Sequence, residues 1–94
     1  MSRLGGPVLG TREWPSWWEW ALELSPHLLK RMIDREFTEV DLRRMLELAT
    51  NLREDVVDGR WLVETWHLGR SWAVILEPDV EPQLLVVITA YPVW

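Results

Sequence analysis

The chain has no cysteine, which removes disulfides, thiolate metal sites and a thiol nucleophile. Its two histidines, His27 and His67, are too few for a His-built zinc site. Positive charge is scarce as well: 10 Lys and Arg stand against 15 Asp and Glu, a net charge of −5. That balance argues against broad attraction to phosphate backbones, so DNA is not an expected partner, although a small cationic pocket remains possible. No apolar run approaches the roughly 20 residues that cross a bilayer, and the opening "MSRLGGPVLG" lacks the apolar region of a secretory signal. The expectation is a soluble, cytoplasmic protein without a membrane partner. Gly-rich phosphate loops, nucleophile elbows and metal-ligand spacings are all missing. A reaction catalysed here is therefore expected to need neither metal nor cofactor.

Tryptophan is what the chain has in excess, with eight at positions 14, 17, 18, 20, 61, 66, 72 and 94 against one Tyr and one Phe. Ninety-four residues make one domain with a modest core. Each large aromatic can bury roughly 150–250 Å². Core is expected to claim more of these indoles than surface, and any left outside form a patch that meets a partner.

Residues 1–13, with three Gly and one Pro, read as a flexible leader, and 14–94 as a single α+β domain. "WWEWALELS" fits two periods. Trp17, Trp18, Ala21 and Leu22 have helical spacing, while Trp18, Trp20, Leu22 and Leu24 alternate with polar or small residues, and the strand is the favoured reading. Ser25-Pro26 is an N-cap followed by Pro at the first helical position. From there Leu28, Leu29, Met32 and Ile33 form an apolar stripe, with His27, Lys30, Arg31, Asp34 and Arg35 on the other side, and the helix is predicted to end near Glu36. Thr38 caps a second helix carrying Val40, Leu42, Met45, Leu46 and Ala49.

"NLREDVVDG", 51–59, reads as a polar connection. "RWLVETWH" and "RSWAVILEP" flank a tight turn at Leu68 and Gly69, and "QLLVVITAYPV" is apolar on both faces, which suits the middle of a sheet. Alternation places Leu85, Val87, Thr89 and Tyr91 on one face of that last strand. The predicted order is β-α-α-β-β-β, with two helices packed on one face of a small antiparallel sheet.

His27 is the first candidate for chemistry. The macrodipole disfavours a positive ring at a helix N-terminus, and Arg31 one turn on acts the same way, so a proton-accepting imidazole beside an anion clamp is one reading. The other is a solvated helix face on which Asp34 pairs with Lys30 or Arg31. Thr89 and Tyr91, two apart before Pro92, either present two hydroxyls to a cleft or are ordinary strand residues. His67 beside Gly69 and Arg70 reads first as a turn.

"LELSPHLLKRMIDREFTEVDLRRMLE" resembles the opening of a widespread bacterial family of small domains of unknown function: a short strand, a His at a helix start, an R-M pair, a second Arg and a capped second helix. "VVITAYP" looks like the closing strand of that family. It is also similar to the end of the RNase A-like toxin domain of contact-dependent inhibition proteins, within the small α+β toxins grouped loosely with barnase and RelE. The resemblance spans about residues 18–93.

It implies a metal-independent ribonuclease in which His27 activates the ribose 2′-OH, Arg31 stabilises the phosphorane and Thr89 and Tyr91 orient the phosphate. The product would be a 2′,3′-cyclic phosphate, with Tyr91 or His67 as general acid. Lys30, Arg35 and Arg70 would hold RNA phosphates, and Trp61 would stack on an unpaired base. A neutralising partner protein would accompany such an enzyme. The alternative is a non-catalytic interaction module whose Trp-rich surface docks on a partner or on a second copy of the chain. Catalysis requires His27, Arg31, Thr89 and Tyr91 to meet in one cleft; a binding module does not.

Overall fold

The computed structural model describes residues 14–93. The expected leader, 1–13, and Trp94 lie outside the described residues. The described residues form an α+β fold of two helices and one five-stranded mixed sheet. A 3-10 turn over Ser16–Glu19 leads into β1 (Ala21–Leu24), followed by α1 (Pro26–Arg35), α2 (Glu39–Glu47), β2 (Asn51–Glu54), β3 (Trp61–His67), β4 (Arg70–Asp79) and β5 (Leu84–Pro92).

Ser25 explains how the first strand becomes a helix. Its Oγ accepts from the Leu28 N–H at 3.0 Å, capping α1, and donates to the Ile88 carbonyl at 2.9 Å, tying that cap to β5. Pro26 follows at the first helical position, where its missing N–H costs nothing. The helix stops at Glu36, whose left-handed φ of 58° lets its own N–H reach Ile33 O while Phe37 N–H reaches Met32 O. α2 opens on a capping box: Thr38 N–H donates to the Asp41 carboxylate and Asp41 N–H to Thr38 Oγ1. The Thr38 N–H, followed by the Thr38 hydroxyl and the charge of His67, holds the Asp41 carboxyl below the usual carboxylate range. This contribution to α2 is therefore present above that range and fades as pH falls through the lowered pKa.

The sheet order is β1-β5-β4-β3-β2. β2 to β5 form an antiparallel meander, whereas β1 runs parallel to β5, with Leu22 beside Leu85 and Leu24 beside Val87. Three expectations are corrected here. The sheet is mixed, because β5 is apolar on both faces and needs a neighbour on each side. The strand left to supply the outer one is β1, whose direction no residue pattern encodes. Residues 51–54, read as part of a polar connection, form edge strand β2, and only Leu52 of its four residues packs against the core. Charged, short edge strands resist unwanted pairing, which is also why this one looked like a loop. The first strand likewise begins at Ala21 rather than Trp18, because Trp17 to Glu19 are coiled into the 3-10 turn.

On the helix side the core takes every second residue of β3 and β4, while β4 is buried on both faces from Trp72 to Leu76, Ala73 and Ile75 included. Val63 and Thr65 on β3, Trp72, Val74 and Leu76 on β4, and Leu85, Val87 and Ala90 on β5 are buried beneath Leu28 of α1 and Leu42 and Met45 of α2. Thr65 is the buried polar residue of this set, and its Oγ1 donates to Met45 O. Met45 lies in the last turn of α2, where Ala49 N–H turns back to Leu46 O instead of closing onto it. Thr65→Val keeps the shape and strands that carbonyl, so we expect a loss of about 1–3 kcal/mol, measured by urea unfolding. A loss under a few tenths would mean that α2 reseats its own carbonyl.

The β3-β4 hairpin turns at Leu68 and Gly69, as the sequence suggests, with φ of 52° and 76°. Both values are left-handed, which a two-residue turn needs to follow the strand twist. Leucine is a costly residue there, by roughly 1–2 kcal/mol.

Candidate functional site

The residues singled out in the sequence are distributed over both layers. His27 and Lys30 are exposed on α1, the helix whose Leu28 is buried in the core. Arg31 donates from Nη1 to Asp34 Oδ2 at 2.9 Å, a helix-surface ion pair. Arg35 donates from Nη1 to the Ala90 carbonyl at 3.1 Å. Because β1 ends opposite Val87, the outer edge of β5 beyond it needs donors, and Ser25 and Arg35 supply them. The guanidinium expected to hold a phosphate thus holds the sheet edge.

Thr89 and Tyr91 do share a face, but not the face of Leu85 and Val87. Leu76 pairs with Val87 and Ile75 with Thr89, leaving Ile88 without an opposite residue. This β-bulge swaps the two faces halfway along β5. Leu85, Val87 and Ala90 consequently look toward the helices, whereas Thr89 and Tyr91, paired with Ile75 and Ala73, look away from them. The helix carrying His27 and Arg31 packs on one side of the sheet and the phenol of Tyr91 lies on the other. His67 alternates with Val63 and Thr65 on the helix side, edge-on to Trp72 at 5.2 Å, so it does not join Tyr91 either. Arg70 and Trp61 sit at opposite ends of the β3-β4 hairpin, about 20 Å apart at ~3.3 Å per strand residue. Trp61 packs on Trp17 at 5.5 Å between ring centroids. The four expected catalytic groups do not form one cleft.

What the structure assembles instead is the open face of the sheet. Both described helices pack on the other face, and although Ala73 and Ile75 are themselves buried among their strand neighbours, a hollow of about 360 Å³ lies here, with Arg53, Leu62, Glu64, Ser71, Ala73 and Tyr91 among its lining residues. Register places these together: Asn51 and Arg53 stand opposite Glu64 and Leu62, Glu64 opposite Ala73, and Ala73 opposite Tyr91. Arg53 Nη2 lies 3.3 Å from Glu64 Oε2, and Arg60 Nε donates to Glu77 Oε1 at 3.0 Å on the same face. Trp66 follows Leu62 and Glu64 on that side of β3 and is 46% exposed, opposite Ser71 at the margin of the hollow.

Sequence reasoning noted Tyr91 and the surplus of Trp but missed Arg53, Leu62 and Ser71, and the spacing of Glu64 among Glu13, Glu19 and Glu23 selects no pair. The alternation of Leu62, Glu64 and Trp66 against Trp61, Val63 and Thr65 is the available signal, weak because both sets are largely apolar. Among the described residues no group of three or more His, Asp or Glu could hold a metal ion, and no helix is long and apolar enough to cross a membrane.

Comparison with known proteins adds no relative: no family model, no curated protein and no solved structure matches the chain.

Proposed function

We propose that this chain is a non-catalytic interaction module that self-associates through the open face of its sheet. The observation that carries this reading is the pairing of a projection with a recess. Trp66 stands 46% exposed beside the hollow over Ala73 and Tyr91, so a two-fold contact brings the indole of each copy to the recess of the other. Charge favours a second copy as the occupant. The chain carries −5, yet the ion pairs Arg53–Glu64 and Arg60–Glu77 cancel within the face, so two like-charged molecules meet over locally neutral ground. Two sheet faces stacked at about 10 Å would bury Leu62, Trp66 and Tyr91 together. The ribonuclease reading rests on the sequence resemblance alone once His27 and Arg31 are separated from Tyr91.

Sedimentation of the full chain between about 1 and 100 µM tests the proposal. Wild type is expected to dimerise, Trp66→Arg to be monomeric with unchanged circular dichroism, and Ile33→Arg on the outer side of α1 to stay dimeric. A wild-type monomer throughout, a persistent Trp66→Arg dimer, or loss of the dimer in Ile33→Arg would each overturn it. Metal-free cleavage of RNA by wild type that disappears in His27→Ala would replace it with catalysis.

A further inference from the structure

A second hollow, of about 310 Å³, opens on the helical side of the sheet between α2 and the segment that runs from the 3-10 turn into β1. That volume falls at the lower end of the roughly 300–1,000 Å³ typical of small-ligand pockets. Trp18 and Trp20 form its aromatic wall, and Leu22, Leu46 and Leu85 its apolar floor. The wall is braced from behind. Trp18 lies 4.7 Å from Trp14 and 6.3 Å from Trp17, and Trp17 leans on Trp61, so the indole is held by a chain of other indoles.

The charges at the rim point to the ligand. Glu19 and Glu47 line the hollow, and neither takes part in an ion pair among the described residues. Arg43 lines it too, but its Nε and Nη2 both donate to Glu39 Oε2, at 3.0 and 2.8 Å, so its charge is already answered along the helix. Two indoles, an apolar floor and two uncommitted carboxylates favour a monovalent cation with an apolar skin. The ring faces attract the charge by their quadrupole while the methyl surface packs on carbon. A small, strongly hydrated ion would gain little from the indoles, and an anion would be repelled by the rim.

We infer that this hollow binds an alkylated ammonium group, a site separate from the open sheet face and independent of whether that face self-associates. The group has two possible sources, a free choline-like molecule or a trimethylated lysine side chain of a peptide, and the chemistry seen by Trp18 and Trp20 is the same.

The test follows the indole N–H resonances of the full chain by NMR. Probes are choline, a short trimethyllysine peptide and 3,3-dimethylbutan-1-ol, the uncharged carbon analogue of choline. Choline or the peptide is expected to move the signals assigned to Trp18 and Trp20 and to leave buried Trp72 in place. Glu47→Gln should weaken the response about 3–10-fold, a partial loss suited to one rim charge of two. A tighter peptide assigns the source to a protein side chain, and equal affinities assign it to a free small molecule. No movement at about 10 mM of either cation, or an equal response to the alcohol, would overturn the inference.

Discussion

Trp72→Ala is expected to lower the free energy of unfolding by about 3–5 kcal/mol, against a total of about 5–15 kcal/mol for a domain of this kind. Trp72 is 5% exposed and sits where three parts of the molecule meet. Its ring meets Phe37, in the connection between the helices, edge-on at 5.3 Å, and His67, at the hairpin turn, edge-on at 5.2 Å. Across the sheet it pairs with Thr65 on one side and Pro92 on the other. Truncation leaves a cavity that none of these can fill together, because Phe37 follows the α1 cap and His67 is fixed by its pairing with Arg70. Denaturant unfolding followed by circular dichroism measures the loss. Trp72→Phe, which keeps a ring between Phe37 and His67, should lose distinctly less. A cost below about 1 kcal/mol for the alanine variant would show that the two aromatic contacts are incidental to the core.

Much of this arrangement was legible, and the legible parts share a cause: they are decided within a few residues. Ser25-Pro26 and Thr38 with Asp41 announce both helix starts because caps are local hydrogen bonds. Leu68-Gly69 stands between two apolar runs, which fixes a hairpin even though leucine is poor turn chemistry. The parallel partnership of β1 and β5 was not legible, because the segments are some sixty residues apart and nothing in "ALEL" encodes a direction. The candidate site failed for one specific reason. In "LLVVITAY" every position is apolar or nearly so, and a period of two has no polar set to mark a slip. Ile88 is such a slip, and it turns Thr89 and Tyr91 from the helix side to the open side. One unpaired residue therefore separates the hydroxyls from the His27 helix while bringing Tyr91 to Arg53, Leu62 and Glu64. Both arginines of α1 are likewise explained by fold: Arg31 answers Asp34, and Arg35 closes the strand edge.

Leu28→Ala is expected to cost about 2–5 kcal/mol, whereas Ile33→Ala in the same helix should change stability by no more than about 0.5 kcal/mol. The sequence presents Leu28, Leu29, Met32 and Ile33 as equivalent members of one stripe. The structure separates them: Leu28 is 0% exposed, Leu29 48% and Ile33 79%, with Met32 half-buried. The difference follows from how α1 is tied down. Ser25 at its start bonds to Ile88 O and Arg35 at its end to Ala90 O, so both ends are held to β5, a strand whose outer edge is open beyond Val87. That seating directs Leu28 into the core beside Val87 and Ala90 and carries Ile33 out toward solvent. Leu28 is the one fully buried residue of α1, so its loss also loosens the Ser25 cap that immediately precedes it. Hydrogen exchange provides the sharper measurement. In Leu28→Ala the amides of α1 should exchange faster than those of β4, since one helix is detached before the sheet opens. If α1 and β4 amides accelerate equally, Leu28 is part of a single cooperative core rather than the anchor of its helix. An Ile33→Ala cost above about 1.5 kcal/mol would mean that the outer side of α1 is covered in solution.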